Sequence, residues 1–398
     1  MLIAGEASGD LLAAELVAAL REQLPSSILD SPSSPQFFGA GGPKMSAAGV
    51  ELAFDLTQHS VIGVTDVLKK YFTFRRLFNQ LLALAIERKP DVVIGVDYGG
   101  FNLRFGQAVR KYVRENPFST WKPKIVQFVS PQVWASRPGR ANKLARDYDL
   151  LLSIFPFEKD WYAQRVPKLR VEFVGHPMIG RFSKPNALEC GDTSPLLSAR
   201  HVAQFQSADM SAHSKILLLP GSRKSELQRH LPVMLATVKI IQEKLPAAKA
   251  KMVLPNPALV ALAKSLGANL EIQIGELPWA LAESDIALAS TGTVTMECAL
   301  FGVTTVTLYK TSWLTYQIAR RIVTVKSLTM PNLLAGETVY PEFIQNDATA
   351  ENLSRAALEL LQDDTHRKQI KTQLATIVAS LGEPGAAGRA AKAVLSLL

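Results

Sequence analysis

Short, almost unbroken runs of branched and aliphatic residues recur along this chain, and most end in a turn rich in glycine or hydroxyl residues. Residues 2–5 read LIAG, 91–97 DVVIGVD, 124–130 KIVQFVS, 149–155 DLLLSIF and 171–176 VEFVGH. A strand with one wet face alternates apolar and polar residues, whereas a continuous apolar run must be covered on both faces, as parallel strands are in α/β proteins. A second series follows: KILLLPGSR (215–223), AKMVLPNP (250–257), LEIQIG (270–275), DIALAST (285–291) and VTTVTLY (303–309). Between the two lies a polar stretch without sustained apolar period. The expectation is therefore two Rossmann-like, doubly wound α/β domains: 1–178, a linker at 179–214, a second domain at 215–348, and an alanine- and leucine-rich helical segment at 349–398. Such domains bind ligands beyond the carboxyl ends of their strands, and a pair of them would face each other across a cleft.

The chain has 398 residues, more than one core usually organises. Its net charge of +9 favours anionic partners such as phosphorylated substrates or an acidic membrane surface. Nucleic acid is the weakest of these partners and none is expected, since no zinc spacing, helix-turn-helix signature or aromatic-interleaved basic stripe is present. Cys190 and Cys298 stand far apart and form no disulfide framework, which fits a reducing cytoplasm. The longest apolar runs fall far short of the roughly 20 residues of a membrane span, so membrane contact is expected to be peripheral.

Two turns in the second half suit a nucleotide. In LPGSRKSE a buried strand ends at Leu219, Gly221 makes the turn, and Ser222 and Arg223 precede a long helix. A helix N-terminus and a guanidinium fork both favour a diphosphate; an arginine that merely caps the loop is the alternative. In STGTVTMECAL, Thr291, Gly292 and Thr293 turn into a helix carrying Glu297 one turn in, where a carboxylate can accept from ribose hydroxyls; an ordinary cap with a surface glutamate is the alternative. In the first half Asp97 ends its strand just before YGGFN, placing a carboxylate at the carboxyl edge of the sheet as a candidate general base or a simple helix cap. His176 of GHP reads as a structural histidine when taken alone. Asp147-Tyr148-Asp149 matches a metal-binding DxD pattern but begins a strand, at the wrong edge, and no other cluster has metal spacing.

Residues 61–78 mix apolar and basic side chains. Positions 67, 71, 74, 78, 81 and 85 form one apolar helical face suited to a core. Leu68, Phe72 and Leu77, among Lys69, Lys70, Arg75 and Arg76, are left over and suit lipid headgroups and acyl chains.

In their order and spacing, AGEASGD, GAGGPKM, VIGVTDVLK, GVDYGGFN, SPQVWAS, FPFE, FVGHP, LPGSRKSE, STGTVTMECAL and MPNLLAG resemble the lipid-A-disaccharide synthase family over nearly the whole chain. The resemblance implies a GT-B glycosyltransferase that uses neither metal nor cofactor. Its donor would be UDP-2,3-diacylglucosamine and its acceptor 2,3-diacylglucosamine 1-phosphate. An inverting β-1,6 transfer would release UDP at the inner membrane of a Gram-negative bacterium, with the enzyme cytoplasmic and peripherally bound. It further implies that Asp97 takes the proton of the acceptor 6-hydroxyl and that Arg223 stabilises the departing diphosphate. Gly221, Ser222, Thr291, Gly292, Thr293, Glu297 and Asn332 of MPNLLAG fall on the nucleotide side, and Glu6, Ser8, Gly9 and His176 on the acceptor side. A homodimer with exchanged C-terminal segments is implied as well. Family members are expected to carry a few more residues before AGE, so a truncated first strand is expected here, and the linker at 184–213 departs from the family's pattern.

Two other functions share this architecture: a UDP-N-acetylglucosamine 2-epimerase acting on a soluble sugar, and a non-catalytic membrane protein that senses UDP-sugars. A pure binder needs no base, so Asp97 speaks against the latter. The acids of AGEASGD would repel a phosphate, and the expectation is that Glu6 faces the acceptor while Asp10 caps a helix beginning near Leu11.

Overall fold

The computed structural model describes residues 1–25, 35–59, 67–181 and 214–398, with the side chains of 59 and 67–71 outside that set. The chain divides into two compact units, Met1–Gly180 with Leu381–Leu398, and Arg181–Ser380.

The first unit holds strands β1 (Leu2–Ala4), β2 (Phe38–Gly41), β3 (Glu51–Asp55), β4 (Val92–Val96), β5 (Lys124–Phe128), β6 (Leu150–Ser153) and β7 (Arg170–Phe173). They lie in the order β3-β2-β1-β4-β5-β6-β7, all parallel. Its helices are α1 (Ala7–Gln23), α2 (Pro43–Ala47), α3 (Val67–Arg88), α4 (Gly99–Glu115), α5 (Val133–Ser136), α6 (Ala141–Asp147), α7 (Pro156–Arg165) and α8 (Pro177–Arg181), whose last residue begins the second unit. Ile3, Phe38, Leu81, Phe105, Ile125, Leu151 and Tyr162 meet in one core. The predicted face of α3 takes part, with Phe74 and Phe78 packed against that core and Leu81 and Ala85 fully buried. Leu77, expected among the lipid-facing residues, is instead in the core. Phe72, Arg75 and Arg76 are exposed, while the side chains of Leu68, Lys69 and Lys70 lie outside the described residues.

The second unit repeats the plan with β8 (Lys215–Leu219), β9 (Lys249–Leu254), β10 (Glu271–Ile274), β11 (Ile286–Ser290), β12 (Thr304–Tyr309) and β13 (Glu342–Ile344), ordered β10-β9-β8-β11-β12-β13 and all parallel. Its helices are α9 (Lys224–Lys244), α10 (Pro257–Ser265), α11 (Leu277–Ala282), α12 (Thr293–Leu300), α13 (Trp313–Ile322), α14 (Met330–Ala335), α15 (Ala350–Gln362) and α16 (Asp364–Ser380). The stretch 349–398, expected to be one helical segment, is divided: α15 packs on α9 and α16 on α12, whereas α17 (Ala386–Leu395) packs on α1 in the first unit. Gln23 there donates to the Gly388 carbonyl at 2.8 Å and Arg389 Nε to the Val174 carbonyl at 2.8 Å. Most of the expected linker, 182–213, and Cys190 with it, lies outside the described residues. Among the described residues no helix is long and apolar enough to cross a membrane.

In each sheet the strand order reverses once, between β1 and β4 and again between β8 and β11. At such a reversal the connections leave in opposite directions and open a crevice beyond the carboxyl ends of the two strands. Those four strand ends carry AGEASGD, GVDYGG, LPGSR and STGT.

Candidate functional site

At the β1/β4 reversal, Asp97 follows β4 with φ of 51° and Tyr98 continues at 46°. Two consecutive left-handed residues with side chains store strain, and the structure supplies the restraint. Asn102 Nδ2 and Gln127 Nε2 donate to the Asp97 carbonyl at 2.8 and 3.0 Å, and the Asp97 N–H donates to the Phe128 carbonyl at 2.8 Å. Both amides are committed as donors: Asn102 Oδ1 and Gln127 Oε1 are buried and find no partner among the described residues. The backbone is thus held while the carboxylate stays half-buried at the sheet edge. Burial raises the Asp97 pKa above the usual carboxylate value, opposed by a hydrogen bond from the Tyr98 backbone.

The AGEASGD turn lies beside this carboxylate. A Cβ on Gly5 would fall 2.3 Å from the Tyr98 ring, so only glycine lets that ring cross the turn. Gly9 is buried, and a Cβ there would stand 3.6 Å from the Asp97 Cβ. Glu6 occupies the N-cap position of α1 in extended conformation, near enough that its charge adds to burial in raising the Tyr98 pKa. Ser8 is exposed in the first turn of α1.

Asp10 behaves differently from expectation. Helix α1 starts at Ala7, not near Leu11, which leaves Asp10 inside the first turn and buried. Its carboxylate accepts from the backbone N–H groups of Gly42, Lys44 and Met45 at 2.8, 2.9 and 3.0 Å. It therefore caps α2, tying AGEASGD to GAGGPKM. Asp10→Ala orphans two buried donors, at Gly42 and Met45, at about 1–3 kcal/mol each, and a partly buried one at Lys44, so unfolding free energy in urea should fall by at least about 2 kcal/mol. Asp10→Asn keeps the Oδ1 acceptor for Gly42 and Met45 and should cost clearly less. Equal losses for the two variants would refute the capping role.

Three further motifs converge on the same edge as structure. Trp134 of SPQVWAS donates to the buried Glu158 of FPFE at 2.9 Å, and the hydroxyls of Ser130 and Tyr162 stand 2.9 Å apart. Burial raises the Glu158 pKa despite these donors. His176 is buried, its ring tilted on Phe155 at 5.5 Å and its backbone N–H donating to the Leu381 carbonyl, so it joins the C-terminal return of the chain to β7. The DxD pair sits at the opposite, amino edge. Asp147 is paired with Arg146 and Arg114, and Asp149 with Arg110.

At the β8/β11 reversal, Gly221 has φ of 118° and Ser222 and Arg223 are exposed at the N-terminus of α9. Arg223 Nη1 rests 3.1 Å from Glu226 Oε1, so its guanidinium is aligned over the helix end. Across the reversal, Gly292 with φ of 144° opens α12, with Thr291 half-buried and Gly292 and Thr293 exposed. Glu297 lies one turn in, its carboxyl pushed up to about 7 chiefly by burial. The arrangement joins exposed N–H groups, hydroxyls and a cation at one edge, with a carboxyl behind them.

Asn332 does not join them. It is 2% exposed, and its amide is fully committed: Nδ2 donates to Tyr340 O and Glu342 Oε1, both at 2.8 Å, and Oδ1 accepts from the N–H groups of Val339 and Tyr340. An asparagine with both donors and both lone pairs in use has nothing left for a ligand. The direct nucleotide contact expected of it is replaced by a role in building the 336–342 turn.

His230, which sequence reasoning passed over, fastens the nucleotide-side turn. The Lys310 N–H donates to Nε2 at 3.0 Å, so Nδ1 carries the proton and donates to the Pro220 carbonyl at 2.8 Å. Burial holds its pKa below the ordinary histidine value, against raising contributions from Pro220, Glu226 and Lys310. The folded protein therefore refuses a proton that the unfolded chain accepts below about pH 6.5. The His230 contribution should therefore cost this unit stability as pH falls from about 6.5 toward the depressed folded pKa and add nothing above 6.5, while the raised pKa of Glu297 works in the opposite direction over the same range. Urea midpoints between pH 7.5 and 5.5 test this against His230→Gln, which should lack the His230 loss and so gain on wild type as pH falls; identical slopes would contradict it.

Comparison with known proteins accords with this layout. A family model described as Lipid-A-disaccharide synthetase matches residues 1–395. Lipid-A-disaccharide synthases of Trichlorobacter lovleyi and Geobacter metallireducens are 35% and 34% identical, each match spanning 100% of this chain and 97% of the relative. Among solved structures, an S. aureus MnaA–UDP complex aligns with a TM-score of 0.62 at 13% identity, covering 100% of this chain and 97% of that one. A glycotransferase of kitacinnamycin aligns at 0.57 and 16% identity, covering 100% and 98%. The structural likenesses show a fold common to GT-B transferases and sugar-nucleotide epimerases, and the sequence relatives decide between them. The chain belongs to the lipid-A-disaccharide synthase family.

Proposed function

We propose that the β8/β11 edge binds UDP-2,3-diacylglucosamine and that the β1/β4 edge binds 2,3-diacylglucosamine 1-phosphate, for an inverting β-1,6 transfer. Asp97 accepts the proton of the acceptor 6-hydroxyl as that oxygen forms a bond to the donor's anomeric carbon. The bond from that carbon to the diphosphate breaks, its electron pair leaves on UDP, and Arg223 with the α9 N-terminus meets the growing charge. Gly221, Ser222, Thr291, Gly292 and Thr293 offer N–H and hydroxyl groups to the nucleotide, and Glu297 accepts from its ribose. Glu6, Ser8 and Gly9 line the acceptor side. His176 and Asn332 act as positioning residues, holding the chain around their motifs.

One observation carries the reading: the carboxylate turn and the cationic, hydroxyl-bearing turn each stand at the reversal of strand order in their own sheet. That two structural neighbours are an S. aureus MnaA–UDP complex and an M. jannaschii epimerase in complex with UDP-GlcNAc and UDP supports a UDP-sugar donor on this fold. Peripheral attachment to the cytoplasmic face of the inner membrane and a homodimer with exchanged C-terminal segments belong to the same reading. In an exchanged dimer a second copy's α17 would take the place on α1.

Purified protein incubated with both acylated substrates, with a chelator present, should yield the disaccharide 1-phosphate and UDP by mass spectrometry. Absence of that product with intact UDP binding would reject the reaction.

A further inference from the structure

Four of the eight large apolar side chains exposed among the described residues fall between positions 313 and 323. Trp313 is 73% exposed, Leu314 64% and Ile318 51%, with Val323 just beyond the end of α13. No residue of this helix is buried. On a helical wheel Leu314, Ile318 and Ile322 share one side, with Arg321 at its border and Arg320 next to Trp313. The charge of its own segment has one sign: from Cys298 to Gly336 the chain contains Lys310, Arg320, Arg321 and Lys326 and no acidic residue. Helix α13 begins four residues after β12 ends, at the carboxyl edge where LPGSR and STGT also lie.

We propose that α13 is a membrane-docking helix that lies in the headgroup layer of an anionic bilayer. Its aliphatic side chains enter the acyl boundary, Trp313 sits at the interface, and Arg320, Arg321 and Lys326 meet lipid phosphates with their stems along the apolar layer. The exposed apolar side chains would otherwise stand in water, and the cations have no acid of their own segment to pair with. A second copy of the chain fits less well, because a two-fold contact would set this cationic face against itself. The inference deepens the lipid-substrate reading and rests on it for the purpose of docking. It adds a contact on the nucleotide-side unit to the one expected on α3, where Phe72, Arg75 and Arg76 are exposed among the described residues.

The test is co-sedimentation of the full-length protein with vesicles of phosphatidylcholine containing about one third phosphatidylglycerol, a proportion chosen to give a negative surface. The variants are Trp313→Ser/Leu314→Ser/Ile318→Ser, Arg320→Gln/Arg321→Gln, and Phe72→Ser. Each α13 variant should bind roughly tenfold or more weakly, with unchanged melting and unchanged turnover on detergent-dispersed substrates, and Phe72→Ser should lose less. The arginine effect should vanish on pure phosphatidylcholine. Undiminished vesicle binding by the α13 variants would overturn the proposal. So would a change in their sedimentation coefficient without lipid, which would assign the face to a second copy. If wild-type protein makes no disaccharide in detergent yet docks through α13, the reaction fails and the docking helix stands.

Discussion

Asp97→Asn should abolish disaccharide formation while leaving the fold and UDP binding intact. The substitution separates chemistry from structure because of the backbone at this position. Asp97 sits at φ of 51°, a region that asparagine tolerates as well as aspartate. The restraints on the turn act on its backbone: Asn102 and Gln127 hold the carbonyl, and the N–H is bonded to Phe128. None of these three contacts uses the carboxylate, and the Tyr98 backbone bond that the carboxylate does accept can pass to the asparagine Oδ1, so the variant keeps the turn and loses a proton acceptor. General-base assistance contributes roughly 10²–10⁴-fold, and kcat should fall by at least that order with the melting temperature unchanged. The wild-type pH profile supplies a second reading. Because burial raises the Asp97 pKa, the acidic limb of kcat/KM should lie above the usual carboxylate range and be lost as pH falls through it. Normal turnover by the variant would mean that another group takes the proton.

The strands most readable in the sequence are those whose environment is uniform. β4, β5, β8 and β11 have buried neighbours on both sides and helices on both faces, so VVIGV or KILLL permits little else. The strands that escaped notice are β2, β3 and β13. FGAG of β2 carries two glycines, ELAFD of β3 alternates at an edge, and EFI of β13 is a three-residue edge strand, so each lacks the apolar run that marks an interior strand. Site residues divide in a similar way. Asp97, Arg223 and the two glycine turns were legible because strand-turn-helix grammar fixes where they emerge. Asp10 and Asn332 were legible as polar residues in motifs but not in their partners, since a capping carboxylate and a ligand-binding one look alike in sequence. Asp10 caps a helix more than 30 residues away, and Asn332 closes a turn through residues 339–342. Gln127 left a signal that could have been used: it is the one polar residue inside the apolar run IVQFV, and a buried amide needs a reason. His230 left none, as the carbonyl it holds is set by the tertiary fold.

Arg223→Ala should weaken UDP binding and lower kcat together. The guanidinium stands exposed at the start of α9, so its removal opens no cavity, and Glu226 keeps a favourable place in the first turn of that helix. Stability should therefore change by less than about 1 kcal/mol, as for other exposed pairs. Binding is another matter, because hydrogen bonds between charged groups contribute about 1.5–3 kcal/mol, which corresponds to roughly a 10- to 150-fold loss in UDP affinity. A donor aimed at charge that grows as the diphosphate departs adds a loss of about 10²–10³ in kcat. Arg223→Lys should recover part of the affinity but less of the rate, since an ammonium supplies charge without the planar fork that spans two phosphate oxygens. Glu226→Gln frees the guanidinium from its resting partner and should bind UDP at least as well as wild type. Titration calorimetry with UDP and initial rates with both acylated substrates measure the two effects separately. Loss of affinity without loss of kcat would make Arg223 a binding residue only, and unaltered kinetics would remove it from the site and leave the α9 N-terminus to hold the diphosphate alone.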